Sequence, residues 1–331
     1  MVTALPRAGR RALQAAIAAL VALGLGLWWL LSTGETPAPG GRVTLATGVP
    51  TGVYARYGEL LKQDLAHDLP DVDLRLARSE GSIDNLRQLV AGHAEYGIAT
   101  ADAVATYKIR GERGADRLRA CARLYDDYVQ LVVPKGSAVR STKDLRRLRV
   151  GVGADGSGVQ LITRRLLEAA GLDFAGDIEP VRVGIDRMPK LLEQHKLDAF
   201  FWSGGLPTTA VQRLAQRFPV RLVQLGDLSE ALHRQGERTR YYRAAVMPAD
   251  AYPRAQGGQA VKTIAVANLL VTTDRQDAAL TEGITRTVID SRDRIGRQVH
   301  AAQKVDLRTA VFTDPLELHT GARRYYVSQK P

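Results

Sequence analysis

The sequence is poor in the residues that metal and redox chemistry depends on. Cys121 is the single cysteine among 331 residues, so neither an intramolecular disulfide nor a cysteine-based metal site can form. The six histidines stand far apart, and none falls in an H-x-x-x-H pair. Aromatic residues make up only 6% of the chain. Dense basic runs interleaved with aromatics are also missing. The net charge of +11 is carried mostly by arginines scattered along the chain. No nucleic-acid partner is expected from that distribution. A diffuse basic surface suits anionic lipid or anionic solutes instead. Nothing points to disorder, because 45% of residues are hydrophobic and 24% charged. The length allows one large or two medium domains.

Only one long apolar run is present. Arg7, Arg10 and Arg11 precede residues 12–31, in which Gln14 is the one polar side chain. Twenty helical residues rise roughly 30 Å, the thickness of a hydrocarbon core. Trp28 and Trp29 stand where an aromatic belt lies at the far interface. The arginines stay cytoplasmic by the positive-inside rule, so the body is exported. A signal peptide has a shorter apolar part, roughly 7–15 residues, and ends in a small-residue cleavage site. Here only Ser32–Gly34 offers one, and no Ala-x-Ala follows the run. An uncleaved anchor is therefore favoured over a cleaved signal. Residues 1–11 read as a basic cytoplasmic N-terminus, 12–31 as a transmembrane anchor and 32–41 as a tether rich in Pro and Gly.

The body alternates between two periodicities. "RVTLATG" (42–48) reads as a strand, residues 54–69 as a helix, 72–78 as a strand, 82–92 as a helix and 95–102 as a strand. Ser82 is the expected N-cap and Gly92 the expected stop of the second helix. This order implies an α/β fold with a mainly parallel sheet. The pattern repeats with strands at 148–154, 180–184 and 197–205 and helices at 158–170 and 187–196. Two extended apolar segments, 128–137 and 263–274, stand between and after the two units. Two lobes joined by a two-stranded hinge follow from that arrangement. Lobe 1 is expected from 42–133 plus 266–331, and lobe 2 from 134–265.

The strands end in small and polar residues. Gly48, Thr51, Gly52 and Tyr54 follow the first; Gly81, Ser82 and Asn85 the second; Asp102 the third. In the second unit the corresponding residues are Ser157, Gly158 and Gly205. Ligands of open α/β sheets bind beyond the carboxyl ends of the strands. Several helix N-termini facing one cleft suit a carboxylate or another small anion.

The same segments resemble a family. "GVPTGVYARYG" (48–58), "EGSIDNLRQLVAGHAEYGIATAD" (80–102), "STKDLRRLRVGVGADGSGVQLITRRLLEAAGL" (141–172), "LDAFFWSGGLPTTAV" (197–211) and "LHTGARRYY" (318–326) are similar, in order, to motifs of the TAXI-type solute-binding subunits of TRAP transporters. The resemblance implies a type II periplasmic-binding-protein fold and no cofactor. It implies capture of a small organic anion or amino acid, and delivery to TRAP membrane subunits. The place implied is the periplasmic face of the bacterial inner membrane, or the periplasm after cleavage. Carried over by motif position, the ligand-facing residues are Gly48, Thr51, Gly52, Tyr54, Gly81, Ser82, Asn85, Asp102, Ser157, Gly158 and Gly205. Val49, Ala55, Arg56 and Val159 depart from the family pattern and make the pocket less hydroxylated.

Other readings compete at "GVGADGSG". Gly151, Gly153 and Gly156 spell a dinucleotide fingerprint after a strand and before a helix. Such a site also wants an acid at the end of the next strand; Asp173 and Asp177 come before that strand, and Asp186 follows it later than the spacing expects. A serine nucleophile elbow needs G-x-S-x-G, but Asp155 and Val159 stand at the flanking positions. A non-enzymatic receptor is favoured, with Gly156-Ser157-Gly158 facing Gly81-Ser82 across the cleft. A membrane-tethered sensor with the same fold is the alternative.

Overall fold

Period-two apolar runs bounded by glycine and polar turns become strands, and the amphipathic runs between them become helices. The computed structural model describes residues 16–25 and 39–330. Its strands are β1 (Gly41–Gly48), β2 (Val72–Arg78), β3 (Tyr96–Thr100), β4 (Leu118–Pro134), β5 (Arg149–Gly151), β6 (Glu179–Val181), β7 (Ala199–Gly204), β8 (Val220–Val223), β9 (Tyr242–Met247) and β10 (Val261–Thr273). The helices that matter for the site are α1 (Val53–Asp68), α2 (Ser82–Ala91), α3 (Ala101–Ile109) and α4 (Gly158–Ala169). Two more, α5 (Ala278–Asp290) and α6 (Thr320–Ser328), lie near the C-terminus.

The sheet order is β2-β1-β3-β10-β4-β7-β5-β6, with β8 on β4 and β9 on β10. Pairs among β1, β2 and β3 are parallel, as are those among β5, β6 and β7. β4 and β10 pair antiparallel to each other and to their other neighbours. The expectation of a mainly parallel sheet is therefore corrected to a mixed one. Both apolar segments read as extended are central strands, and they run against the βαβ units on either side.

The hydrophobic side chains gather in separate cores. One is built around β5, β7 and α4, with Val150, Phe200, Ile162 and Leu166 buried in it. A second joins β1 and α1 to α5 and α6, through Leu45, Tyr57, Ile284, Val288 and Tyr325. The C-terminal helices thus cover strands from the start of the chain. A third, smaller core lies between α2, α3 and β10, around Leu86, Val104 and Leu269. β4 and β10 run through all of them. The register Val266 opposite Asp127 falls where the strands pass from one core to the next.

Residues 39–331 make one compact unit. In the unit before it, residues 16–25 are helical and exposed, including Leu20 and Leu23. The rest of the expected anchor, 12–15 and 26–31, lies outside the described residues, as do 1–11 and 32–38. Among the described residues no helix is long and apolar enough to cross a membrane.

Candidate functional site

Three helices begin at one cleft. α1 follows the turn at Gly52, α2 starts after Gly81, and α4 starts after Ser157. Each first turn holds amides with no intrahelical partner and a partial positive charge. Gly48, Gly52, Tyr54, Gly81, Ser82, Ser157 and Gly158 all line the cleft, so the structure brings most of the expected residues together. The space open to the centre of a water-sized sphere is about 60 Å³.

The two sides touch. A Cβ on Gly81 would stand 3.5 Å from Ser157 Cα, and one on Gly158 would stand 2.9 Å from Ser82 Oγ. The Asp84 amide donates to the Gly156 carbonyl at 3.2 Å. The Gly156–Gly158 loop thus faces the Gly81–Ser82 loop directly. Gly81 has φ +125 and ψ −152, a conformation open to glycine, and it takes the N-cap position expected of Ser82. The Ser82 hydroxyl instead accepts from the Thr100 amide at 3.2 Å, fixing α2 to the end of β3. Ser157 does cap its helix: its Oγ accepts from the Gln160 amide at 3.1 Å.

The other expected residues lie elsewhere. Thr51 and Gly205 line a wider neighbouring groove with Arg56, Lys190 and Arg213. Asn85 is fully buried, and its Nδ2 donates to the Ile98 carbonyl at 2.7 Å. It holds the α2–β3 packing. Asp102 opens α3 rather than ending a strand, and its Oδ2 accepts from the Tyr242 hydroxyl at 2.7 Å. Burial raises the Asp102 carboxyl above the usual carboxylate range.

Sequence reasoning missed the polar residues contributed by the long strands. Asp127 lines the cleft from β4 and is 2% exposed. Its Oδ1 accepts from Asn268 Nδ2 on β10 at 2.7 Å. The Tyr54 hydroxyl donates to Asn268 Oδ1, completing a Tyr54–Asn268–Asp127 chain. Burial pushes the Asp127 carboxyl up to about 7; the Asn268 hydrogen bond opposes this, and the nearby Asp126 and Asp102 charges add to it. Trp202 lines the same cleft from β7, with its Nε1 donating to Thr208 Oγ1 at 3.0 Å. Among the described residues no lysine or arginine lines this cleft. The signal for Asp127 was present in "LYDDYVQLVV", two acids inside an apolar strand.

The dinucleotide reading loses its setting here. The first turn of α4 is covered by the Gly81–Ser82 loop. Arg182, not an acid, follows β6.

A model of the NMT1-like family matches residues 45–329. Among solved structures, the alkanesulfonate-binding protein SsuA from Xanthomonas axonopodis pv. citri bound to MOPS is 16% identical, with 89% of this chain and 86% of that chain covered and a TM-score of 0.50. An ancestral arginine-binding protein bound to arginine is 14% identical, with 78% and 98% covered and a TM-score of 0.50. A structure from Bordetella bronchiseptica RB50 is 17% identical, with 88% and 90% covered and a TM-score of 0.52. These likenesses show a shared α/β fold of the periplasmic-binding-protein kind.

Proposed function

The chain belongs to the NMT1-like family, and from that premise we propose that it is a solute-binding protein of an import system. Its ligand sits in the cleft lined by Gly48, Tyr54, Ser82, Asp127, Ser157 and Trp202, beside the contact between the Gly81–Ser82 and Gly156–Gly158 loops. The single observation that carries this reading is the cleft with three helix N-termini and a buried carboxylate. The finer membership, a TAXI-type subunit serving TRAP membrane components, rests on the motif series from Gly48 to Tyr326. Lobes of 42–133 plus 266–331 and of 134–265 close on the solute. The eleven residues carried over by motif position stay assigned to the site: Gly48, Gly52, Tyr54, Gly81, Ser82, Ser157 and Gly158 at the ligand, Thr51 and Gly205 at the neighbouring groove, and Asn85 and Asp102 as supports.

The chemistry of the cleft selects between an organic dianion and an amino acid. Helix N-termini suit one carboxylate. A second carboxylate would meet Asp127 and no cation. An ammonium group would meet the Asp127 carboxylate and the Trp202 ring. A small zwitterionic amino acid fits both ends and the limited volume. The structural neighbours named for alkanesulfonate and arginine also take charged organic solutes of modest size.

Residues 12–31 would hold the protein at the periplasmic face of the inner membrane. Support comes from the apolar run and the flanking Arg7, Arg10 and Arg11. The sensor alternative shares this cleft and differs only in its partner. Isothermal titration of the ligand-stripped protein against amino acids and dicarboxylates tests the binding reading. Heat of binding with a small amino acid is expected; silence across both panels would defeat it.

A further inference from the structure

Beside the solute cleft lies a second cavity with the opposite character. Arg87 on α2, Arg110 at the end of α3 and Arg164 on α4 all line it, and its space open to the centre of a water-sized sphere is about 230 Å³. Several other arginines on the described surface pair with carboxylates: Arg149 with Asp198, Arg240 with Asp314 and Arg294 with Asp64. Arg87, Arg110 and Arg164 make no ion pair among the described residues. Arg164 lies over the Phe174 ring, 3.9 Å from its centroid, which positions the guanidinium without neutralising it. All three side chains are exposed, so solvent screens their mutual repulsion, and an anion among them would lower it further.

A second observation points the same way. Thr106 lines this cavity, is 1% exposed, and its hydroxyl has no hydrogen-bond partner. A buried hydroxyl left unpaired costs roughly 1–3 kcal/mol. The cavity also draws on both sides of the cleft. Ile83, Arg87, Thr106 and Arg110 come from the α2–α3 side, and Gly156, Gln160 and Arg164 from the loop and helix opposite. Arg87 reaches across, since a Cβ on Gly156 would stand 3.6 Å from its Nη1. Beside the Gly156 loop, Asp84 accepts from the Glu80 amide and Asp155 from Gln160 Nε2.

We propose that the Arg87–Arg110–Arg164 cavity is a binding site for a phosphate group, distinct from the solute cleft and bridging its two sides. Guanidinium forks match the tetrahedral oxygens of phosphate, and the Thr106 hydroxyl supplies one more donor. An anion held there ties α2 and α3 to α4 and favours the closed cleft. The phosphate group could be free in solution or carried by a lipid headgroup.

The test uses the full chain and inorganic phosphate, with chloride at matched ionic strength as the reference. Millimolar phosphate should raise Tm above the chloride value. In the Arg87→Gln/Arg110→Gln variant, phosphate affinity should fall by at least about tenfold. Thr106→Val, which removes only the unpartnered hydroxyl, should weaken phosphate severalfold without lowering Tm in chloride. Asp127→Asn should leave phosphate binding unchanged, which separates this site from the amino-acid cleft. Sedimentation of residues 39–331, a compact unit without the apolar run, with phosphatidylglycerol vesicles identifies the source: co-sedimentation lost in the double-arginine variant places the site at a lipid headgroup, and its absence beside free-phosphate binding places it in solution. No binding to phosphate or vesicles beyond the chloride reference, or full affinity in the double-arginine variant, overturns the proposal.

Discussion

Asp127 is the residue whose chemistry decides the ligand. Its carboxyl titrates at about 7 in the folded chain, pushed up first by burial. The unfolded carboxyl titrates near 3.9. A raised folded pKa means stability that is fully present below the unfolded value and lost as pH rises through the folded one. The ligand-free protein should therefore lose stability between about pH 4 and 7. Asp127→Asn should remove that loss. Its Tm in differential scanning calorimetry should exceed that of the unmodified protein above pH 7, by roughly 2–4 °C per kcal/mol, and match it near pH 4. The same substitution should weaken amino-acid binding by about 10–100-fold, since an ammonium loses its charged partner. Because a proton competes with the ammonium, affinity in the unmodified protein should fall as pH drops below about 7. A second residue, Gly158, controls the approach of the two loops. A Cβ there would stand 2.9 Å from Ser82 Oγ. Gly158→Ala should weaken ligand binding about tenfold or more while leaving urea unfolding of the ligand-free protein nearly unchanged, on the proposal that the loops meet only when the cleft closes. A large loss of stability instead would show the contact to be part of the folded core.

Among the elements, β9 and α3 are joined by one buried hydrogen bond. The Tyr242 hydroxyl donates to Asp102 at 2.7 Å, and both residues are buried. Tyr242→Phe removes one donor from a buried carboxyl and should cost about 1–3 kcal/mol in urea unfolding. An unchanged midpoint would mean water replaces the hydroxyl. The element scale also shows what could be read from the sequence. Helices with one apolar stripe, such as α2 and α4, stand within a residue or two of their expected bounds. The expected strand 95–102 runs into the first two residues of α3, and the rest of that helix is not predicted, because "ADAVATY" is buried on every side and carries no helical stripe. β4 runs from Leu118, ten residues before the segment read as extended. Arg123, Asp126 and Asp127 interrupt its apolar run, and two of them form an ion pair: Arg123 Nη2 donates to Asp126 at 2.9 Å. The loops were legible because glycine and serine at strand ends have local reasons to be there. Asp127, Asn268 and Trp202 were not, because their role depends on strand pairings between residues far apart in sequence.

On the scale of the whole molecule, two long strands carry the chain between its cores. Helix N-termini from both sides meet where those strands pass. Such an arrangement lets a ligand shift a population toward closure by contacting both sides. Small-angle scattering should show a smaller radius of gyration on adding ligand, and Gly158→Ala should blunt the change. Membrane association belongs to this scale too. If residues 12–31 anchor the chain, alkaline carbonate should leave it in the membrane fraction, and deleting those residues should release it. Release of the intact chain by carbonate would argue against the anchor.

The account's central claim is that the cleft takes a zwitterion, with its carboxylate at the helix N-termini and its ammonium at Asp127. Isothermal titration of the ligand-stripped protein with a matched pair, alanine and propionate, tests it most directly. The two differ chiefly by the amine. The account predicts that alanine binds at least tenfold more tightly at pH 8, a difference of about 1.4 kcal/mol, and that Asp127→Asn erases the gap. Equal affinity for the two, or a preference for propionate or succinate, would contradict it.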